Sequence, residues 1–160
     1  MRVKKSIITL SLIIVIAFSS LCLAVPTLLS IHFIDVGQAD SILVHTPNGQ
    51  NMLIDAGNNE DADTVTSYLS RQKVKKIDVL VGTHPHEDHI GGMDVVIRQY
   101  PIDKVYMPKK TTNTRTFEDV LQAVKDKGLK VTSPVPGSAI ALDPAVKIEI
   151  RPQTVLRIRT

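Results

Sequence analysis

Thr83-His84-Pro85-His86-Glu87-Asp88-His89-Ile90-Gly91-Gly92 is the stretch on which the reading of this 160-residue chain turns, since three of the five histidines and an aspartate fall within six positions of it. His84 and His86 sit two apart. An extended backbone therefore sends both imidazoles to the same side, where they can grip one metal ion. Asp88 and His89 follow where the apolar pattern changes to helical spacing, so they project from a turn and can hold a second ion. The competing reading is a solvated loop that happens to be rich in histidine. It explains poorly why the loop follows the aliphatic run Ile77-Asp78-Val79-Leu80-Val81 so abruptly.

Outward from the loop, Ile77 to Val81 reads as a buried strand, and the segments on either side alternate between strand and helix periods. Leu28 to Ile34 and Ser41 to His45 read as strands, followed by the turn Pro47-Asn48-Gly49-Gln50 and a strand from Asn51 to Ile54. Asp61 to Gln72 has a helical stripe of Val65, Tyr68 and Leu69. Beyond the loop, a helix is expected from Ile90 to Tyr100, stopped by Pro101, then a strand from Lys104 to Met107. A second helix, Thr116 to Lys127, carries Phe117, Val120, Leu121 and Val124 and is capped by Gly128. Leu129 to Thr132, Ala139 to Leu142 and Val146 to Ile150 complete the strands. No repeat and no low-complexity linker divides the chain, which predicts one domain.

The first 25 residues stand apart. Arg2, Lys4 and Lys5 precede an uncharged run from Ser6 to Val25, the layout of a secretory signal. Small residues near Ala24 suit cleavage, and the length of the run leaves an uncleaved signal anchor as the alternative. Either way the domain is expected to be secreted or extracytoplasmic, with membrane contact only through this segment. The formal net charge of +3 belongs to the same segment, because 16 basic and 16 acidic residues remain without it. A general nucleic-acid-binding surface is therefore not indicated, although Lys73-Lys75-Lys76 and Lys109-Lys110 with Arg115 form local basic clusters. The single cysteine, Cys22, also lies there, so the domain has no disulfide and no thiolate ligand.

The pattern H-x-H-x-D-H after a strand resembles the signature of the metallo-beta-lactamase superfamily. Phe33-Ile34-Asp35-Val36-Gly37-Gln38-Ala39-Asp40-Ser41-Ile42-Leu43-Val44 and Leu53-Ile54-Asp55-Ala56-Gly57 resemble the opening strands of one branch of it, which includes the hydrolase domain of the bacterial competence DNA-uptake channel. The resemblance runs from about Leu28 to about Ile150. It implies an α/β fold, the four-layer αββα sandwich. It also implies that His84 and His86 bind a first ion, that Asp88 and His89 bind a second, and that Asp88 orients the attacking water. The implied reaction is hydrolysis by a metal-bound hydroxide, with a small-molecule or nucleic-acid phosphoester as substrate. Zinc suits the imidazole-rich ligand set, two ions in a complete domain, and shared carboxylates would also accept manganese or iron. Asp55 has two readings, as acceptor of a hydrogen bond that orients a ligand histidine or as a turn-capping aspartate. Asp35 and Asp40 are expected to shape their loop, Thr83 to pack or cap, and His32 and His45 to be surface or satisfied core residues.

The family completes its site with a later histidine, a bridging aspartate and a last histidine. No histidine follows His89 in this chain, and Asp143 reads as a turn residue between strands. Residues 151–160 depart from the pattern as a divergent tail. The domain, residues 28–150, is therefore expected to be incomplete at its C-terminus, roughly the first half of the sandwich. Its one sheet would expose an apolar face, at about 25 cal/mol for each Å² left unburied, unless a partner chain covered it. Two functions are compatible with these observations: an exported metal-dependent hydrolase, or a truncated, catalytically inactive remnant or binding module of the same fold.

Overall fold

In a computed structural model, which describes residues 28–109, 112–152 and 156–160, the alternating and continuous apolar runs become nine strands. The expected export segment, residues 1–25, lies outside the described residues. In chain order the elements are β1 (Ser30–Phe33), β2 (Ile42–His45), β3 (Asn51–Ile54), a 3₁₀ turn (Asn59–Asp61), α1 (Ala62–Arg71) and β4 (Ile77–Val81). Then come α2 (Glu87–Ile90), α3 (Met93–Gln99), β5 (Ile102–Tyr106), α4 (Arg115–Asp126), β6 (Val131–Thr132), β7 (Ala139–Asp143), β8 (Val146–Ile150) and β9 (Leu156–Arg159).

Strands β1 to β6 form one sheet in sequence order, antiparallel from β1 to β3 and parallel from β3 to β6. The β2–β3 connection turns at Gly49, whose φ of +85° is open to glycine at no steric cost. Parallel pairing aligns Ile54 with Val81 and Val81 with Tyr106, so the loops leaving β3, β4 and β5 emerge side by side. Each strand splits its side chains between two cores. Leu53 and Leu80 face the helices, packing with Val65 and Leu69 of α1, Ile97 of α3 and Val120 of α4. Met52, Ile54, Val79 and Val81 face the other way. Helix α4 follows the same logic: Phe117, Val120, Ala123 and Val124 are buried, and Thr114 caps its start by accepting from Phe117 N at 3.4 Å. Leu121, expected in that stripe, falls on its flank and is exposed, with Ala123 taking the inward place.

Two expectations are corrected. The apolar face of the six-stranded sheet is not bare. Strands β7, β8 and β9 form a second, antiparallel sheet whose Ile140, Leu142, Val146, Ile148 and Ile150 pack against Val44, Met52, Ile54, Val79 and Val81. The segment expected as a divergent tail supplies β9, which pairs Ile158 with Ile148 and turns Leu156 and Ile158 inward. The layers are thus helix, sheet and sheet, and every described helix with buried apolar residues lies on the first sheet. The β1 end stays open, where Phe33 is 77% exposed. The second correction concerns the helix expected from Ile90 to Tyr100, which is two helices, α2 and α3, separated at Gly91 and Gly92.

Asp143 clasps the two sheets together. Its carboxylate accepts from Asn48 N at 2.9 Å, in the β2–β3 turn, and from Ala145 N at 2.7 Å. Burial opposes its charge, but these two bonds and Thr46 prevail and hold its pKa below the ordinary carboxylate value. A depressed carboxyl stabilises the fold fully above the unfolded pKa, near 3.8, and the contribution is lost as pH falls through the lower folded value. The Asp143→Ala variant is therefore expected to unfold at lower temperature than the parent at pH 7, with the gap closing as pH is taken below that range. A gap of constant size would show that the carboxylate charge contributes nothing.

Candidate metal centre

Three loops meet at the carboxyl ends of β3 and β4. The backbone alone ties them together: Asp55 N donates to Val81 O at 2.8 Å, Ala56 N to His89 O at 2.7 Å, Gly57 N to Asp40 O at 2.9 Å and Asp40 N to Asp88 O at 3.1 Å. Gly91 N donates to Gly57 O at 2.8 Å. This close seating explains the break between α2 and α3. A Cβ on Gly91 would lie 2.1 Å from the Asn58 carbonyl carbon, and one on Gly92 would lie 2.6 Å from Ala56 O.

Asp55 occupies the centre of this block. Its φ of +57° is a left-handed conformation that aspartate tolerates better than most residues, at a cost of roughly 1–2 kcal/mol. Its carboxylate accepts from Thr83 N at 2.7 Å, from Thr83 Oγ1 at 2.5 Å and from His89 Nδ1 at 2.9 Å. Burial pushes the Asp55 carboxyl above its ordinary range, and the bonds from Thr83 and His89 offset only part of that. For His89 the balance is reversed. Burial disfavours its charged form, but the bond to Asp55 and the charges of Asp55, Asp88 and Asp40 raise its pKa. An ionised Asp55 only accepts, so Nδ1 of a neutral His89 carries the proton and Nε2 keeps the lone pair. That Nε2 lies 3.7 Å from Asp88 Oδ2.

The other two imidazoles stand beside it. The His84 ring centroid is 5.3 Å from that of His89 and 6.2 Å from that of His86, the latter pair nearly parallel. His84 Nδ1 is buried and has no hydrogen-bond partner. A buried polar nitrogen without a partner is uncommon, and a lone pair available to a cation accounts for it. His86 is exposed at the mouth of the site, and Asp88 is about half-exposed.

All five residues expected at the site, His84, His86, Asp88, His89 and Asp55, are therefore brought together. Of the two readings for Asp55, the hydrogen bond to a histidine is the one seen. Two contributors were not expected. Thr83 does not merely pack: it commits both its N–H and its hydroxyl to Asp55. Asp40 shapes its loop through its backbone and also brings Oδ2 to 3.6 Å from His89 Nδ1. Ligand atoms of Asp40, Asp55 and His89 lie within 4.8 Å of one another, which by itself could suggest a cation cup. The oxygens of Asp55 are already engaged by Thr83 and His89, so this trio anchors His89. His32 and His45 take no part. His32 bonds Tyr68 Oη at 2.9 Å and Ser30 Oγ at 3.1 Å, with the His45 ring 5.2 Å away, on β1 and β2.

A family model described as the metallo-beta-lactamase superfamily matches residues 34–159. ComE operon protein 3 of Bacillus subtilis (strain 168) is 25% identical over 118 residues, covering 63% of this chain and 15% of that protein. The hydroxyacylglutathione hydrolase of Buchnera aphidicola subsp. Schizaphis graminum (strain Sg) is 32% identical over 88 residues, covering 55% of this chain and 34% of that protein. The chain thus spans about a third or less of these curated relatives. The solved structure of the metallo-beta-lactamase fold protein YhfI from Bacillus subtilis superposes with a TM-score of 0.54 at 15% identity, covering 83% of this chain and 58% of that one, a likeness of fold.

Substituting Gly91 by alanine forces the 56–59 loop off α2. A loss of about 1–3 kcal/mol in urea unfolding is expected, typical of overpacking against atoms that cannot move aside. An unchanged midpoint would mean that the loop is not seated there.

Proposed function

The chain belongs to the metallo-beta-lactamase superfamily, and from that premise we propose that it is an exported metal-dependent hydrolase acting on phosphoesters. The observation that carries this reading is the division of labour among the imidazoles. His89 is held through Nδ1 by Asp55, while His84 has a buried nitrogen with no partner. This donor set fits a divalent ion: His84 and His86 would hold one, Asp88 and His89 a second, with Asp55 fixing the orientation of His89 from behind. When bound, such an ion supplies Lewis acidity toward a substrate oxygen and lowers the pKa of a water. Zinc is the first choice for a site of three imidazoles, with manganese or iron acceptable to the carboxylates. The chain's own residues do the rest. Asp88, half-exposed beside His89 Nε2, is placed to accept a proton from water or to orient it. Asp55 and Thr83 keep the His89 tautomer fixed during that transfer. A relative named as a hydrolase supports hydrolysis as the reaction class, and the basic start followed by the apolar run in residues 1–25 supports export.

A second reading, a metal-binding module without turnover, is favoured by ligand count. No histidine follows His89, so each ion would have two ligands from this chain, and water in the remaining positions adds little affinity.

Two experiments test these readings. With two protein ligands per ion, zinc is expected to be stripped by dialysis, and bis(4-nitrophenyl) phosphate is expected to be hydrolysed only with zinc in excess. His86→Ala should abolish that turnover. Zinc-dependent shifts of the three histidine rings without any turnover would instead select the binding module. For export, residues 1–30 fused to a reporter active only outside the cytoplasm should give signal in a bacterial host, and a silent fusion would remove that part of the proposal.

A further inference from the structure

The described ends of the connection from β5 to α4, residues 107–109 and 112–114, each border the histidine loop. At its start Gly82 N donates to Tyr106 O at 2.9 Å, one strand from the histidines. At its end the first turn of α4 packs toward α2 and the 3₁₀ turn, where Asn59 Nδ2 donates to Thr116 Oγ1 at 3.3 Å. Met107 N donates to Thr132 O at 3.1 Å, so the chain leaving β6 runs alongside. Between these two connections lies an open groove of about 430 Å³, lined by Pro108, Lys109, Ser133, Pro134, Val135 and Pro136. Adjacent strands are about 4.8 Å apart, which puts the near wall on the order of 5–10 Å from Gly82. Ligands of open α/β sheets bind beyond the carboxyl ends of the parallel strands, and the groove and the histidine loop share that edge.

The lining has a definite chemistry. Three prolines fix the backbone and present ring methylenes, so the walls are shaped before any ligand arrives. Val135 is 62% exposed among them, an apolar surface unlike the polar composition usual for a connection between sheets. Lys109 is exposed and is the one charged residue among the described residues of the lining. Among the described residues it forms no ion pair, as is true of Lys73, Lys75 and Lys104. An apolar wall with one exposed cation among its described residues, next to a metal-type site, suits a ligand with an apolar portion and an anionic one. The volume suits a group the size of one aryl ring or nucleoside.

We propose that this groove is a substrate subsite that takes the apolar ester group of a phosphoester on its proline faces, with Lys109 pairing with the phosphoryl charge. The inference rests on the hydrolase reading for the presence of a phosphoester, and it adds which part of the chain recognises the organic group. A small alkyl phosphate leaves the prolines uncovered, so aryl esters are preferred over methyl esters.

Binding can be read without turnover. Phenyl phosphate, methyl phosphate and inorganic phosphate are titrated into the full chain held metal-free with chelator, and backbone amide shifts are followed by NMR. Phenyl phosphate is expected to move the amides of Lys109, Ser133 and Val135 and to bind more tightly than the other two. Lys109→Ala should weaken it about three- to five-fold, the size of one exposed charge pair. Shifts that avoid the groove, equal affinity for the three phosphates, or indifference to Lys109→Ala would each overturn the subsite. Hydrolysis of bis(4-nitrophenyl) phosphate with a silent groove would sink the subsite and leave the hydrolase reading standing. Groove binding in a chain that never turns over would do the reverse.

Discussion

The buried carboxylate of Asp55 is the constraint on which the rest of the site depends. It sits between two parallel strands that pair Ile54 with Val81, and it accepts two bonds from Thr83 and one from His89. A carboxylate this deep is costly in isolation, and only a full set of donors makes it tolerable. The requirement works in both directions. Thr83 and His89 satisfy Asp55, and Asp55 in turn fixes the start of the histidine loop and one face of the His89 ring. Losing a single partner would leave a buried polar group unsatisfied, at about 1–3 kcal/mol.

Backbone seating supplies the second level of order. The loops after β1, β3 and β4 exchange amide bonds directly, and Gly91 and Gly92 let them approach to distances no side chain permits. Consequently the three imidazoles lie close together through protein contacts alone. Such a site loses little conformational freedom when a ligand arrives, which is what pre-organisation means energetically. The second sheet contributes from a distance. By covering Met52, Ile54, Val79 and Val81 it buries the strands whose ends carry Asp55 and Thr83, and Asp143 fastens that cover at the opposite end of the β2–β3 hairpin.

Much of this was legible in the sequence. The span of β4 from Ile77 to Val81 and the helix stripe around Val65 and Leu69 follow from spacing. His84, His86, Asp88 and His89 stood out by their crowding and by the resemblance of that pattern to a known signature, and Asp55 by its place at the end of an apolar strand. Two of the errors come from contacts between distant segments, and the third from the phase of one helix. The expected helix from Ile90 is interrupted because a loop more than 30 residues earlier presses on Gly91, and nothing near Gly91 records that contact. Leu121 is exposed because the buried stripe of α4 is centred on Val120 and Ala123. The supposed tail becomes β9 because Leu156 and Ile158 find Ile148 and Ile150 to pair and pack with.

What the sequence pointed to by itself is the candidate site, through the crowding of imidazole and carboxylate groups directly after an aliphatic strand. The shared side expected of His84 and His86 on an extended segment is not how they meet, because Thr83 to His86 are bends and the fold brings the rings together. The sequence also determined the strand that delivers them, since a run of aliphatic residues ended by a polar turn has few other uses. Tertiary structure alone decided that Thr83 and Asp40 join the site, that Asp55 grips Nδ1 of His89, and that the apolar face of the first sheet is covered. Each of these depends on strand register or on contact between segments far apart in the chain. Such contacts depend on the packing of the whole domain, and no local run of residues encodes them.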